Sequence, residues 1–113
     1  MGATLGKEER LSGKTAIAAL IGKGSWGYCG HFKYCVLSGS GKDFNRILVS
    51  VPKRHFKRAV KRNLLKRRIR EAYRTQKELC PAAGKDILFQ YNSSEIADYS
   101  AIRADVAAIL GKI

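Results

Sequence analysis

Acidic residues are scarce in this 113-residue sequence. Nine Asp and Glu stand against 22 Lys and Arg, which gives a formal net charge of +13. Long apolar runs are also missing, since none approaches the roughly 18 residues that a membrane span needs. The first residues contain no apolar stretch after a basic one, so we expect no signal peptide. We therefore expect no membrane partner, and the charge favours an acidic polymer, most commonly nucleic acid.

Cysteine is limited to three residues, Cys29, Cys35 and Cys80. An odd number without secretory context does not support a disulfide framework. We interpret them as reduced thiols in a cytoplasmic protein. The apolar fraction of 45% is ordinary for a globular chain, and the length suits a single domain over residues 1–113.

Hydrophobic periodicity predicts the element order helix, strand, strand, long helix, strand, helix. The predicted elements are a helix over about 14–21 with Ser12 as N-cap, strands over 28–38, 45–51 and 86–91, a long helix ended by Pro81, and a last helix capped by Asp98 or Ser100. This order predicts an α+β fold with helices on one face of a small sheet. A strand–helix–strand unit over about 46–91 normally has a right-handed crossover.

The positive charge is concentrated in residues 53–74, which contain eleven basic residues and one acid. On a helix, an apolar face would collect Leu65, Ile69, Ala72 and Leu79. Another face would carry Arg62, Lys66, Arg70 and Arg74 at steps of four, with Asn63 and Arg67 beside them. Because like charges at this spacing repel one another, the helix favours an anionic partner over a merely solvated surface. Guanidinium groups suit this role, since each can bind two phosphate oxygens.

The choice between RNA and DNA depends on the sheet. The sequence has no zinc-finger spacing and no zipper heptads, which makes a duplex DNA reader less favoured. Tyr28, Phe32 and Tyr34 could stack the bases of single-stranded RNA, or they could be ordinary core residues. Asn63 could read a base edge or a 2′-hydroxyl, or it could point into water.

Self-contained chemistry has weak support in the sequence. His31 and His55 are the only histidines for acid–base catalysis, and the acids form no tight cluster for magnesium. Cys29, His31 and Cys35 form an incomplete metal-ligand set without an evident fourth ligand. The segment Gly39–Lys42 lacks the frame of a phosphate-binding loop. We therefore predict no catalytic residue and no metal site in the protein.

The segment "RAVKRNLLKRRIREAYR" resembles the signature of the protein subunit of bacterial ribonuclease P. The matching residues are Ser50-Val51, Ala59-Val60, Arg62-Asn63, Lys66-Arg67 and Arg70. The resemblance implies a two-layer α/β sandwich with a small, mainly antiparallel sheet, ribosomal protein S5 domain 2-like. It also implies a left-handed βαβ crossover, which replaces the right-handed default.

The resemblance also implies the function of an accessory subunit. In that family a catalytic RNA removes the 5′ leader from precursor tRNA, using Mg2+ that is held mainly by the RNA. The partners are the catalytic RNA and precursor tRNA, with no obligate protein partner. The implied RNA-binding residues are Arg58, Arg62, Asn63, Lys66, Arg67 and Arg70. The implied leader cleft, between the sheet and the first helix, is lined by Ile17, Ile21, Phe32, Tyr34, Lys53 and Arg54.

The sequence departs from the family pattern at three places. Leu64 stands where the family has an Arg, a loss that Arg68 or Arg58 could offset. Ile17 and Ile21 stand where the family has Phe, and the loop before the long helix is one residue longer. Two alternatives stay open: a general or ribosome-associated RNA-binding module with no catalytic role, and a basic DNA-binding domain.

Overall fold

A computed structural model describes residues 7–113. Its helices are α1 (Lys14–Lys23), α2 (Ala59–Arg74) and α3 (Tyr99–Lys112), with short 3-10 turns at Lys7–Glu9 and Lys77–Leu79. Its strands are β1 (Ser25–Cys29), β2 (Phe32–Leu37), β3 (Arg46–Ser50) and β4 (Asp86–Tyr91). They form one sheet in the order β1-β2-β4-β3.

The sheet is mixed but mainly antiparallel. β1 pairs with β2 and β2 with β4 in antiparallel fashion, whereas β3 and β4 are parallel neighbours joined through α2. This arrangement confirms the predicted α+β class. The left hand of the crossover stays a prediction.

The segment predicted as one strand over 28–38 is a hairpin. Gly30 adopts a φ of +55°, and Cys29 pairs with Phe32 across the turn. A side chain at position 30 would be strained at this φ, and its Cβ would meet the Asp105 carboxylate, which would have to shift. The prediction missed the turn because the apolar alternation continues on both sides of Gly30 and the turn contains only one glycine.

The sheet has apolar side chains on both faces. Ile87, Phe89 and Tyr91 of β4 pack in the main core with α2 and α3, whereas Leu88 packs in a smaller cluster with Leu20 of α1. The prediction of all helices on one face is therefore wrong for α1. A strand buried on both faces does not show by its alternation which helix covers which face.

The long helix is shorter than predicted. α2 ends at Arg74, and the Gln76 side chain donates hydrogen bonds to the carbonyls of Ala72 and Arg103, at 3.0 and 3.1 Å. These bonds join the end of α2 to α3. Tyr73 takes the buried place that was predicted for Leu79, which is 44% exposed.

Of the two predicted N-caps, the one at α3 is confirmed and the one at α1 is not. The Asp98 side chain accepts a hydrogen bond from the Ala101 N–H at 2.9 Å and caps α3 as predicted. At α1 the N-cap is Gly13 instead of Ser12, and it has no side-chain hydrogen bond. Ser12 precedes the cap by one residue, so the helix begins one position later than a serine cap requires.

The chain before α1 runs along the outer edge of the sheet. The Leu11 N–H donates to the Ile47 carbonyl at 2.8 Å, and Arg10 forms a parallel bridge with Ile47. This pairing covers part of the exposed edge of β3. It also places Arg10 beside α2. Within residues 7–113, no helix is long and apolar enough to cross a membrane.

Candidate nucleic-acid interface

An open concavity of about 510 Å3 lies along the solvent face of α2. We call it the basic concavity; its lining residues are Arg10, Asn63, Arg67, Arg70, Glu71 and Arg74. Four of them follow helical spacing at i, i+4, i+7 and i+11, which places them on one stripe. The opposite stripe of α2 contains Leu65 and Ile69, both fully buried. The amphipathic pattern thus aims the cations away from the core.

Acidic side chains of the described residues do not neutralise the positive charge of the basic concavity at Arg67 and Arg70. Burial and the neighbouring Arg10 charge lower the pKa of the Arg70 guanidinium from its ordinary value. The group nevertheless stays protonated at neutral pH, because a guanidinium cannot be deprotonated in proteins. Across residues 7–113, no acidic side chain forms a salt bridge with Arg67 or Arg70. This surface therefore favours an anionic partner.

Among the described residues, Glu71 is the one acid that lines the basic concavity, and it is paired. The Arg74 Nε atom donates to Glu71 Oε1 at 3.0 Å, and this hydrogen bond lowers the pKa of the Glu71 carboxyl. Arg74 lies one turn beyond Arg70, whereas Glu71 directly follows Arg70 in the chain. Glu71 thus offsets Arg74 and leaves the charge at Arg67 and Arg70 unopposed.

The predicted RNA-binding residues divide into two groups. Asn63, Arg67 and Arg70 lie together in the basic concavity. Arg58, Arg62 and Lys66 lie outside it. Arg58 is the exposed N-cap residue of α2, and Lys66 is partly exposed on the same helix.

Arg62 has a structural role. Its Nη1 atom donates to the carbonyls of Phe56 and Lys57, both at 2.8 Å. These bonds hold the loop between β3 and α2, whose Phe56 ring is buried in the main core. An RNA contact by Arg62 stays a prediction, because a guanidinium has further donors.

Arg68 joins α2 to a neighbouring segment. Its Nη1 atom donates to the Ala97 carbonyl at 2.7 Å and joins α2 to the segment before α3. Leu64 itself is partly buried. The suggestion that Arg68 or Arg58 offsets Leu64 stays a prediction, because the Arg68 guanidinium has further donors.

Three lining residues, Arg10, Glu71 and Arg74, were not among the predicted site residues. Arg74 was already predicted on the basic face with Arg70, four residues away, but it was not assigned to RNA. Arg10 had no local signal, because only the long-range pairing of Arg10 with Ile47 brings it to α2.

The assignment of Phe32 and Tyr34 to a cleft beside α1 is wrong. Phe32 is 1% exposed and packs edge-on against Phe89 and Tyr91, with ring centroids 6.3 and 5.6 Å apart. Tyr34 packs against the same core. Both side chains therefore lie on the α2 and α3 side of the sheet, and α1 covers the opposite side.

The other predicted cleft residues are accessible to different degrees. Ile17 is partly buried in the small cluster with Leu20, whereas Ile21 is 48% exposed. Lys53 and Arg54 are exposed in the loop that follows β3. No described contact joins these four residues into one site, so their role stays a prediction.

A second concavity connects α2 with the edge of the sheet. It has a volume of about 250 Å3 and is lined by Arg10, Leu11, Ser12, Ile47, Leu48, Val49 and Arg70. Arg10 and Arg70 belong to both concavities. Leu48 also packs in the small cluster under α1. A continuous surface thus leads from the cations of α2 to the side of the sheet that α1 covers.

The incomplete metal-ligand set is divided between the two faces of the sheet. Cys35 is buried under α1, its thiol donates to the Leu20 carbonyl at 3.2 Å, and burial raises the pKa of that thiol. Cys29 packs against the main core instead, and the His31 Nδ1 atom lies 2.7 Å from Asp105 Oδ2 of α3. Among the described residues, no group of three or more His, Cys, Asp or Glu could hold a metal ion.

His55 is placed in the loop before α2. Its Nδ1 atom lies 3.2 Å from the Ser94 Oγ atom, and its ring is tilted against Phe56. The contact joins the loop to the turn after β4. It gives His55 a structural role in holding that loop.

Sequence and structure comparisons agree with one another. The sequence model of the family described as Ribonuclease P matches residues 5–113. The "Ribonuclease P protein component" of Petrotoga mobilis is 36% identical over 99% of this chain and 97% of its own length. The protein of the same description from Porphyromonas gingivalis is 35% identical, over 87% of this chain and 77% of its own.

Solved structures show the same fold. The RNase P protein from Thermotoga maritima superposes with a TM-score of 0.81 at 25% identity, over 93% of this chain and 97% of that one. The Staphylococcus aureus RNase P protein superposes with a TM-score of 0.78 at 23% identity, over 90% and 92% of the two chains.

Proposed function

The chain belongs to the ribonuclease P protein family, the protein component of an endoribonuclease in tRNA processing, and we propose that its basic concavity binds the catalytic RNA. Precursor tRNA is the substrate in this proposal, and the RNA supplies the catalytic groups. No obligate protein partner is needed. We place this function in the cytoplasm, where the three free cysteines would stay reduced.

The observation that carries the proposal is the unbalanced charge at Arg67 and Arg70. Two guanidinium groups without an acidic partner in the described residues lie on one stripe of α2, with Arg10 added from the edge of the sheet. Each guanidinium can bind two phosphate oxygens in its plane. Asn63 lies on the same stripe and can donate to, or accept from, a 2′-hydroxyl or a base edge. Such a surface suits the sugar-phosphate backbone of folded RNA.

The 5′ leader is assigned to the surface that continues from Arg10 and Arg70 past the edge of β3. This part of the molecule combines cations with the apolar side chains of Leu48 and Ile17 near α1. Cations would hold the phosphates of a single strand, and the apolar side chains would pack against its bases. Ile17 and Ile21 can pack against bases without the aromatic stacking that Phe provides. Lys53 and Arg54 remain candidates for further phosphate contacts.

In this proposal the magnesium ions are bound by the RNA and not by the protein. Catalytic RNA folds and hydrolyses a phosphodiester with divalent cations that offset phosphate charge. A protein with a net charge of +13 provides some of the same neutralisation. The protein should therefore lower the magnesium concentration at which the RNA binds substrate and cleaves it.

The test is a binding titration of the catalytic RNA at several salt concentrations. If the protein neutralises about six phosphates, the logarithm of the association constant should fall against the logarithm of salt with a slope of about −4 to −5. A duplex DNA of equal length at matched salt is the control. Equal affinity for both nucleic acids would contradict the proposal and favour a general polyanion binder.

A further inference from the structure

Glu71 places a negative charge in the basic concavity, and its side chain is 47% exposed. It follows Arg70 directly and lies one turn after Arg67 on the same stripe of α2. A carboxylate at this place repels phosphates that approach the neighbouring cations. A surface that bound phosphate alone would hold its ligand more tightly with a neutral residue at position 71. The carboxylate therefore opposes the binding of a ligand that offers only phosphates.

Helix stability gives little reason for this carboxylate. Glu71 lies in the last turn of α2, where the helix dipole favours cations and disfavours acids. Its pair with Arg74 is open to solvent at both side chains, and exposed ion pairs contribute little to stability. Ala72 and Tyr73, which follow it, are buried, whereas Glu71 is exposed and does not fill the core.

The pair with Arg74 orients the carboxylate and leaves it able to accept further hydrogen bonds. The Arg74 Nε atom donates to Glu71 Oε1 at 3.0 Å, and the Arg74 Nη2 atom donates to Glu71 Oε2. This fork occupies one lone pair on each oxygen, and the second lone pair of each oxygen points away from it. The hydrogen bond from Arg74 also lowers the pKa of the Glu71 carboxyl. At neutral pH Glu71 is therefore an acceptor and not a donor.

The remaining lone pairs of Glu71 select the chemical group that can bind there. Phosphate oxygens only accept hydrogen bonds, whereas RNA carries a donor on every ribose, the 2′-hydroxyl, and further donors on its base edges. The two remaining lone pairs point in different directions. A single donor such as a hydroxyl therefore fits them better than the two parallel N–H groups of a guanine edge. Arg67 and Arg70 lie beside the carboxylate and would bind phosphates of the same strand.

We propose that the Glu71 carboxylate accepts a hydrogen bond from a ribose 2′-hydroxyl of the catalytic RNA and so determines the preference of the basic concavity for RNA. The inference rests on the proposed RNA-binding function and names the chemical group that one of its residues recognises. Arg67 and Arg70 provide affinity for any polyanion, and phosphate contacts carry no such preference by themselves. Glu71 repels polyanions that offer no donor at this place.

Interference mapping can locate the 2′-hydroxyl. The probe is a pool of catalytic RNA that carries 2′-deoxynucleotides at random positions and low density, separated into bound and unbound molecules. We expect deoxy substitution at one or a few positions to weaken binding to the unchanged protein about tenfold, the effect of losing one hydrogen bond to a charged group. With Glu71→Ala, the interference should vanish at the position that contacts Glu71 and remain elsewhere. Glu71→Gln, which keeps an acceptor oxygen without the charge, should retain a weaker interference at that position.

Direct titrations provide a second measurement. Glu71→Ala should bind duplex DNA about two- to fivefold more tightly than the unchanged protein does, because the repulsion of phosphate is removed. The preference for the catalytic RNA over DNA should fall about tenfold, since both nucleic acids gain from the lost repulsion and only RNA loses a hydrogen bond. Glu78→Ala removes the same charge from an exposed position outside both concavities and is the matched control. It should change neither the preference nor the interference pattern.

The outcomes separate this inference from the proposed function. Identical interference patterns for the unchanged protein and Glu71→Ala, with the catalytic RNA bound by both, would overturn the role of Glu71 and leave the function intact. Equal gains in affinity for RNA and DNA in Glu71→Ala would show that the carboxylate only repels phosphate, which would also overturn the inference. Failure of the unchanged protein to bind the catalytic RNA would contradict the function and the inference together. Circular dichroism should show Glu71→Ala to be folded, because the side chain is exposed and alanine favours a helix.

Discussion

Arg10 and Arg70 lie in the same two concavities, although the first precedes α1 and the second lies in α2. Burial, together with the proximity of the Arg10 charge, lowers the pKa of the Arg70 guanidinium. Two like charges held close together cost free energy in the isolated protein. An RNA phosphate between them would remove that cost, so we expect the pair to lie at the centre of the proposed interface.

The first prediction concerns the stripe of α2. Arg67→Ala combined with Arg70→Ala should weaken binding of the catalytic RNA by about tenfold, because two charge-assisted contacts are lost. The salt slope should become shallower by about 1.4 to 1.8, which corresponds to two phosphates. Filter binding over a range of salt concentrations measures both quantities.

The control for this double variant removes the same charge elsewhere. Lys42 and Arg103 are exposed and lie outside both concavities. Lys42→Ala with Arg103→Ala should leave the salt slope near that of the unchanged protein. Equal losses in the two double variants would show that only net charge matters and would remove the special role of the stripe.

The second prediction concerns Arg10 alone. Arg10→Ala should weaken RNA binding as much as Arg67→Ala does, because both residues line the basic concavity. The slope should decrease by about 0.7 to 0.9, the effect of a single phosphate contact. An unchanged slope in Arg10→Ala would limit the interface to α2 and remove the edge of the sheet from it.

The third prediction separates binding from stability on the same helix. Arg62→Ala should lower the free energy of unfolding by about 1–2 kcal/mol, because the Phe56 and Lys57 carbonyls lose their donor. Arg67→Ala should leave the free energy of unfolding within about 0.5 kcal/mol, since surface substitutions have small effects. Urea denaturation followed by circular dichroism compares the two. A stable Arg62→Ala protein with a large loss of RNA affinity would reverse the assignment.

The fourth prediction tests the corrected place of Phe32. Phe32→Ala should cost about 3–5 kcal/mol of unfolding free energy, as expected for a large ring removed from a packed core. Ile21→Ala, on the exposed end of α1, should cost well under half as much. Thermal or urea denaturation of the two variants gives the comparison. Similar small losses in both would indicate that Phe32 faces an open cleft after all.

Local patterns in the sequence predicted the elements that local forces determine. β4 has the predicted bounds at Asp86 and Tyr91, because Gly84 and the Asn92-Ser93 loop enclose a short apolar run. The Asp98 cap was found because its side chain satisfies an N–H only three residues away. The apolar face of α2 follows from helical spacing alone, and Leu65, Ile69 and Ala72 are buried as that spacing predicts.

The structural features that local patterns did not predict depend on contacts between residues far apart in the chain. The face of the sheet that α1 covers depends on how Leu20 packs against Cys35 and Leu88, and no local pattern encodes that contact. Arg10 joins the interface through a bridge to Ile47, far along the chain. The alternation of β2 was predicted correctly, since Phe32, Tyr34 and Val36 share one face. That face packs with α2 and α3, however, and not with α1. Candidate residues for the leader cleft were misplaced for that reason.

The most direct measurement is cleavage of a 5′-extended precursor tRNA by a bacterial ribonuclease P RNA at low magnesium, with and without this protein. We expect accurate removal of the leader only when the protein is present. We also expect that Arg67→Ala with Arg70→Ala loses most of this effect, whereas Lys42→Ala with Arg103→Ala retains it. Cleavage that is the same with and without a protein that still binds the RNA would contradict the central claim.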